Sequence, residues 1–389
     1  MQDKLIIVMV GLPARGKSYI TKKISNYLNW LNINNKIFNV GNKRRLQLFE
    51  CEEQNADFFN PNQSKNVAIR DQLALSTLDD LLDWLNMSDD CPVGIFDATN
   101  STIKRRELIK ERISKRMQGQ NYNVLFLESI CNDLDIVENN IKLKLNGPDY
   151  KDVEDKFEAL DDFKKRLQNY ETIYETVESR ECQDYVQCIK IVNIHNLKSF
   201  NIFGVYSLML QGFLSNYNTC KKKIWLSINN IDSSKFIPLI INSSNFLKIM
   251  SEEAESNHHK LIPKSSTLDQ IHDLILDLES SNSDVLIQTT DQFLINGLFK
   301  YFKPLQKFNQ SSTSSNIDLN YEIICINPDH YQTDFTKIDI RELYPLEMTR
   351  SNSNGSNTSE IYTPINVDGL DQFNYQNLLE VNEKLELLK

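Results

Sequence analysis

Residues Gly11 to Ser18 read G-L-P-A-R-G-K-S, a complete G-x-x-x-x-G-K-[ST] phosphate loop, and the chain on either side has the form that loop requires. Six apolar residues, Leu5 to Val10, precede it as a buried strand. Ile20, Ile24, Tyr27 and Leu28 follow at helical spacing. Strand, glycine turn and helix commit this part of the chain to an α/β fold with a phosphate-binding turn at a strand end. Gly11 and Gly16 let backbone N–H groups close around phosphate oxygens. Lys17 reaches the outer phosphates, and the Ser18 hydroxyl is placed to hold magnesium at the helix N-terminus. The expectation is a site for ATP or GTP.

Further apolar runs alternate with helical patterns. Ile37–Gly41 reads as a strand and turn, 67–85 as an amphipathic helix, and Val93–Asp97 as a second buried strand. Ile103–Met117 carries Ile109, Ile113 and Met117 on one stripe, and strands follow at Val124–Ser129 and Cys188–Ile194. Strands separated by helices predict a parallel sheet with helices on both faces. Beyond Tyr217 serine and asparagine become abundant, and Ile224–Ser227, Val285–Gln288 and Tyr321–Cys325 predict the strands of a second α/β unit. Ser311–Ser315 and Arg350–Ser359 are low-complexity loops, the second read as disordered, and Asn377–Lys389 is long enough for one short helix.

At 389 residues the chain is too long for one small core. A net charge of -10 argues against a general nucleic-acid or membrane-surface binder. Seven cysteines without a C-x-x-C pair suit a reducing compartment. The opening apolar run is too short for a signal peptide and no run reaches a membrane span, so the expected location is the cytoplasm.

No histidine precedes His195, so a phosphotransfer site in the first half must use another base. Asp97, at the carboxyl end of a strand, can coordinate magnesium or accept a proton from an attacking hydroxyl. Asp97-Ala98-Thr99-Asn100 also precedes a helix, so an N-cap role stays open. Lys43-Arg44-Arg45 and Lys104-Arg105-Arg106 each follow a strand end, where they can face a phosphate; any single member can equally lie on a solvated helix face.

The strings G-L-P-A-R-G-K-S-Y, F-N-V-G-x-x-R-R, F-D-A-T-N, E-S-I-C-N-D and P-D-Y-K-D, in that order, resemble the 6-phosphofructo-2-kinase family, whose members mostly carry a fused fructose-2,6-bisphosphatase. The resemblance covers about the first 220 residues. It implies a kinase domain over 1–220, a shortened histidine-phosphatase-like domain over 221–348, and a tail over 349–389. It implies ATP and magnesium as cofactors, fructose 6-phosphate as substrate, and a homodimer. Nucleotide positions fall on Gly11, Leu12, Pro13, Ala14, Arg15, Gly16, Lys17, Ser18 and Tyr19, with the segment Asn139 to Lys144 along the nucleotide, Asn139 and Lys144 above all. Fructose 6-phosphate positions fall on Arg44, Arg70, Thr99, Arg105, Lys144, Arg166 and Tyr170. Catalytic positions fall on Lys17, Asp97 and Cys131, and metal positions on Ser18 and Asp97; a cysteine at a strand end can equally be a small buried hydrophobe. Arg166 and Tyr170 are four apart on a helix read to start near Ala159, so they point the same way. Lys43 stands where the family usually has tyrosine, and two extra residues lie between Arg45 and Phe58.

The second half departs from that family. The strand 223–227 continues as Ile228-Asn229-Asn230-Ile231 in place of R-H-G-E, and Thr290-Asp291-Gln292-Phe293 stands where C-H-Q-A would be. No arginine occurs between Arg180 and Arg341, which disfavours a clamp on a bisphosphorylated sugar. His258 and His259 lie in a polar stretch read as an exposed loop. The expectation is a kinase without phosphatase activity; residual phosphatase activity or a silent nucleotide-binding scaffold are the alternatives.

Overall fold

The computed structural model describes residues 3–47, 55–88, 92–150, 153–194, 196–216, 224–227, 246–250, 259–261, 267–281, 283–289, 291–302, 322–328 and 333–339. The chain forms two compact units, Met1–Tyr217 and Asn218–Lys389.

In the first unit the order is β1 (Lys4–Val10), α1 (Lys17–Trp30), β2 (Asn35–Asn39), α2 (Val40–Gln47), α3 (Ser64–Met87), β3 (Val93–Asp97) and α4 (Ile103–Arg116). It continues through β4 (Tyr122–Ile130), α5 (Leu134–Leu145), α6 (Lys156–Glu171), β5 (Val186–Val192), β6 (Asn196–Phe200) and α7 (Val205–Ser215). The sheet order is β2-β3-β1-β4-β5-β6, parallel except for β6, which runs antiparallel to β5. Strands covered on both faces read as continuous apolar runs, and Ile6 to Val10 of β1 are wholly buried. Ile6, Val8 and Val10 share a core with Leu78, Leu81, Leu82 and Leu85 of α3 and Ile109 and Ile113 of α4. On α1 the stripe Ile20, Ile24, Tyr27 and Leu28 is buried, and Tyr27 stacks on Phe213 of α7 at 4.2 Å. The chain steps from β3 across β1 to β4, so strand order changes direction around β1. The phosphate loop leaves β1 at that switch point, where open α/β sheets bind ligands.

Local chemistry moved several boundaries. The turn expected after the second strand is instead α2, entered directly from β2, with the Asn39 side chain accepting from the Asn42 N–H at 2.8 Å. The amphipathic helix runs longer than 67–85, over Ser64–Met87. Helix α6 begins at Lys156, before Ala159, because Asp155 accepts from the N–H groups of Phe157 and Glu158 at 2.8 and 3.3 Å. The strand read over Cys188–Ile194 lies at Val186–Val192. Asn193 and Ile194, at φ 48° and 72°, turn the chain back into β6, which no alternation pattern announced.

In the second unit β7 (Ile224–Ser227), β8 (Phe246–Met250), β9 (His259–Leu261), α8 (Leu268–Ser280), β10 (Asp284–Gln288), α9 (Gln292–Phe302), β11 (Glu322–Pro328) and β12 (Thr333–Asp339) form a sheet in the order β12-β11-β7-β10-β8-β9. Strands β7, β10, β8 and β9 are parallel; β11 is antiparallel to both β7 and β12. A capping box of Thr267 and Gln270 starts α8, whose Ile271, Leu274, Ile275 and Leu278 are buried. His259 opens β9 rather than lying in a loop. His258, the Ile228–Ile231 segment and the stretches 311–315, 350–359 and 377–389 lie outside the described residues.

Candidate active site

The phosphate loop is shaped by backbone constraints that only its own residues satisfy. Gly11 lies at φ 138°, and a β-carbon there would come within 2.5 Å of the Ser129 carbonyl oxygen. Its N–H donates to the Thr99 carbonyl at 2.9 Å, tying the loop to the segment after β3. Gly16, left-handed at φ 79°, caps α1 and has nothing within 4 Å of the place a β-carbon would occupy. The Ser129 hydroxyl donates to the Arg15 carbonyl and the Asn140 amide to the Ala14 carbonyl at 3.0 Å. The loop is thus held from its outer side by β4 and α5. Arg15 turns back to the Pro13 carbonyl and toward Glu171, at 3.3 and 3.5 Å.

Lys17, the first residue of α1, is 8% exposed and donates to the Leu12 carbonyl at 2.6 Å, reaching across its own loop. Burial lowers its pKa from 10.5 to about 7; Asp97 pulls it back up, while Lys144, Arg15 and Arg166 push it further down. Asp97, at the end of β3, is buried, and its Oδ2 accepts from the Ser18 hydroxyl at 3.2 Å and the Asn39 amide at 2.6 Å. The cap of α4 is Thr102, which accepts from the Arg105 N–H at 3.2 Å, so Asp97 is not spent on capping. Ser18 and Asp97 offer two hard oxygen donors side by side. That set fits magnesium when phosphates and water complete the shell, and among the described residues no cluster of three or more His, Cys, Asp or Glu competes for a metal.

A second cationic centre gathers around one ring. The guanidinium carbons of Arg166, Arg44 and Arg70, from α6, α2 and α3, lie 3.8, 5.1 and 6.0 Å from the Phe59 centroid, and Tyr170 lies 5.8 Å from it. Asp149 is the counterion of Arg44, at 2.6 Å, and Arg166, at 3.0 Å, and also meets Arg45 at 2.9 Å. Those arginines hold the Asp149 carboxyl far below the usual carboxylate range, against the opposing effect of burial. Even so, Arg44 Nε, Arg70 Nη1 and Arg166 Nε are buried without a hydrogen-bond partner among the described residues. Buried N–H groups of charged side chains are costly to leave unpaired. Three at one place mark a cradle shaped for an anion. Lys144 on α5 lies between the two centres: burial lowers its pKa, Asp97 opposes that, and Arg166 adds to it.

The model of the family described as 6-phosphofructo-2-kinase matches residues 1–219. The chain belongs to the 6-phosphofructo-2-kinase family. It is 43% identical over 227 residues to a probable 6-phosphofructo-2-kinase of Schizosaccharomyces pombe, covering 58% of this chain and 33% of that one. It is 43% identical over 227 residues to 6-phosphofructo-2-kinase 1 of Saccharomyces cerevisiae, covering 58% and 27%. It is 38% identical over 190 residues to the human 6-phosphofructo-2-kinase/fructose-2,6-bisphosphatase 3, covering 49% and 35%. The chain therefore spans about a third of the length of these relatives.

Within this 6-phosphofructo-2-kinase unit the remaining site residues divide. Thr99 contributes its carbonyl to Gly11, and Tyr19 carries Lys23 5.8 Å from its ring centroid. Arg105 pairs with Asp71 of α3; burial lowers the Arg70 pKa, and the charge of Arg105 adds to that. Arg106, its neighbour in sequence, turns inward: it is wholly buried and grips Glu181 through Nε and Nη2 at 2.7 and 2.9 Å. Lys43 leaves the cluster for Asp80 at 2.6 Å. Cys131 is buried in an apolar cluster with Ala14, Val137 and Ile141. Asn139 is exposed on α5, and it is Asn140 that touches the phosphate loop. Asn140 falls within the 139–144 segment expected along the nucleotide, whereas Asn39, Phe59 and Asp149 were missed as site residues. Arg45 was visible as a cation beside Arg44 and Asp149 within P-D-Y, whereas Phe59 gave no signal beyond an F-F pair before Asn60-Pro61. In the second unit, Asp291 caps α9, accepting from the Phe293 and Leu294 N–H groups at 2.9 and 3.4 Å.

Proposed function

We propose that the protein transfers the γ-phosphoryl group of magnesium-bound ATP to the 2-hydroxyl of fructose 6-phosphate, giving fructose 2,6-bisphosphate and ADP. The observation that carries this reading is the arginine cradle with three unpartnered buried N–H groups beside a phosphate loop that already has its own lysine. One phosphate site serves the donor. A second, separate one calls for an acceptor that is itself phosphorylated.

The loop N–H groups and Lys17 hold the triphosphate, and Arg44, Arg70 and Arg166 hold the 6-phosphate, with Tyr170 beside them. Lys144, within electrostatic reach of Asp97 and Arg166, lies where donor and acceptor meet. Asp97 takes the proton of the 2-hydroxyl as that oxygen bonds to the γ-phosphorus, and the bond from γ-phosphorus to the β-γ bridging oxygen breaks, leaving ADP. Ser18 and Asp97 would hold magnesium, which neutralises phosphate charge when bound. Positioning and charge supply most of the catalysis of such a transfer. Arg105, Cys131 and Asn139 act at the margin of the site.

The second unit, a degenerate histidine-phosphatase-like domain in this reading, contributes no phosphatase. The support is Ile228–Ile231 where a histidine nucleophile would stand, Asp291 serving as a helix cap, and the absence of arginine from 181 to 340. A homodimer in the cytoplasm completes the proposal. Incubation with Mg-ATP and a panel of sugar phosphates tests it. Acid-labile fructose 2,6-bisphosphate is expected from fructose 6-phosphate alone. Turnover of a different acceptor without that product overturns the kinase reading; phosphate release from fructose 2,6-bisphosphate overturns the second half.

A further inference from the structure

The ring under the arginines performs a task that no acidic residue could. Arg44, Arg70 and Arg166 are like charges crowded together; burial lowers the pKa of Arg44 and Arg70, and the charge of Arg166 lowers both further. Asp149, against Arg44 and Arg166, and Asp71, near Arg70, offset part of the repulsion, but each contact with Asp149 uses an N–H: Nη2 of Arg44, Nη1 of Arg45, Nη1 of Arg166. More carboxylates would consume the donors a ligand needs. An aromatic face attracts guanidinium groups through its quadrupole and takes none of their hydrogen bonds. Phe59 is 4% exposed, so that attraction acts in a desolvated setting.

The fold holds the ring still. Phe59 ends a single 3-10 turn, Ala56–Phe59, started by Asn55, whose side chain accepts from the Asp57 N–H at 3.1 Å. Two side chains of α6 fasten that turn: Asp162 accepts from the Ala56 N–H at 2.6 Å, and Asn169 donates to the Ala56 carbonyl at 3.0 Å. Phe58 meets Phe59 edge-on at 5.2 Å, and Leu73 closes the cluster. The same helix α6 that anchors the turn supplies Arg166.

Building on the proposed kinase reaction, we propose that Phe59 is a positioning residue for the acceptor's phosphate: it gathers Arg44, Arg70 and Arg166 while leaving one N–H of each for that phosphate. Phe59 touches no reacting atom in this arrangement. Its loss therefore weakens acceptor binding and leaves the nucleotide side alone.

The experiment uses the full chain with phenylalanine at 59 replaced by its mono-, tri- and pentafluoro analogues, which preserve shape while draining the ring face of negative potential. The expected result is a stepwise rise in KM for fructose 6-phosphate, reaching about 5- to 30-fold at full fluorination, with KM for ATP unchanged and kcat within about 3-fold. F59L, which keeps apolar volume without a ring face, is expected to match the fluorinated end of the series. A flat series in an enzyme that phosphorylates fructose 6-phosphate overturns the role of Phe59 alone, as does a rise in both KM values together. If the unmodified protein ignores fructose 6-phosphate, the kinase reading fails instead. Inorganic phosphate titrated against the same series then reads the cradle directly: weakening with fluorination supports the role, and equal affinity overturns it.

Discussion

Binding of nucleotide should load a proton onto Lys17. Burial holds this lysine at about 7, against an ordinary 10.5, with only Asp97 among its main influences acting to keep it charged. Phosphate oxygens brought within a few ångströms reverse that balance. One pH unit above its pKa the free loop carries roughly 0.1 proton on Lys17, and the occupied loop about 1, so binding at pH 8 takes up about 0.9 proton. At pH 6 the free lysine is already about nine-tenths protonated and uptake falls to roughly 0.1. Titration calorimetry of magnesium-bound ADP, in two buffers of different ionisation enthalpy, measures the uptake; its terminal phosphate is ionised at pH 8 and adds little of its own. Lys17→Met is expected to abolish it. Uptake below about 0.3 proton at pH 8, or equal uptake in Lys17→Met, refutes the reasoning. The same shift has a stability consequence with a definite sign. Below about 7 the lysine is charged folded and unfolded, and the folded chain carries the whole desolvation cost, roughly 5 kcal/mol over the gap to 10.5. Between those values the unfolded chain binds more protons, so this residue makes stability rise with pH; above 10.5 it contributes nothing.

Asp97→Asn is expected to cut kcat by about 10²- to 10⁴-fold while KM for fructose 6-phosphate moves little, as steady-state kinetics will show. Gly11→Ala forces a β-carbon against the Ser129 carbonyl, so the soluble variant should lose its thermal shift with Mg-ATP; a retained shift means the loop can move. Arg106→Met strands Glu181 in the interior and is expected to cost about 3–5 kcal/mol in urea unfolding. Arg106→Met with Glu181→Leu should recover most of that loss; no recovery would mean the arginine acts mainly through the Asn100 and Glu175 carbonyls.

What could be read from the chain was whatever depends on neighbours in sequence. β3 runs Val93–Asp97 and β7 runs Ile224–Ser227, as their continuous apolar runs indicate, and Gly11 and Gly16 occupy the special backbone positions their motif demands. Charge clusters were legible as clusters but not as individuals. Lys104, Arg105 and Arg106 are adjacent on α4, where successive residues point some 100° apart, so one is exposed, one pairs with Asp71 and one is buried against Glu181. Asp149 was legible within P-D-Y but not as a counterion, because Arg44 and Arg45 lie 105 and 104 residues away and Arg166 lies 17 residues away on another element. Phe59 stayed hidden for a different reason. An aromatic residue beside apolar neighbours is ordinary core, and only the convergence of α2, α3 and α6 turns this ring into a support for charge.

A chain of net charge -10 has nonetheless gathered Lys17, Arg44, Lys144 and Arg166 into one largely buried region, where burial lowers the pKa of the first three and the charge of Arg166 lowers each of them further. Folding alone has no use for this, since removing like charges from water costs free energy that Asp149 and Asp97 only partly offset. Local rules broken in concert, with no structural gain to show for it, are what a binding site for anions requires. Each phosphate that arrives relieves repulsion that the protein has already borne. Because these cations are buried, salt screens them weakly, so affinity for both substrates should depend less on ionic strength than a surface patch of equal charge would. The described residues of the second unit include no arginine. Among the described residues the guanidinium groups gather in the first unit beside the phosphate loop, which is the arrangement the proposed transfer from donor to acceptor needs.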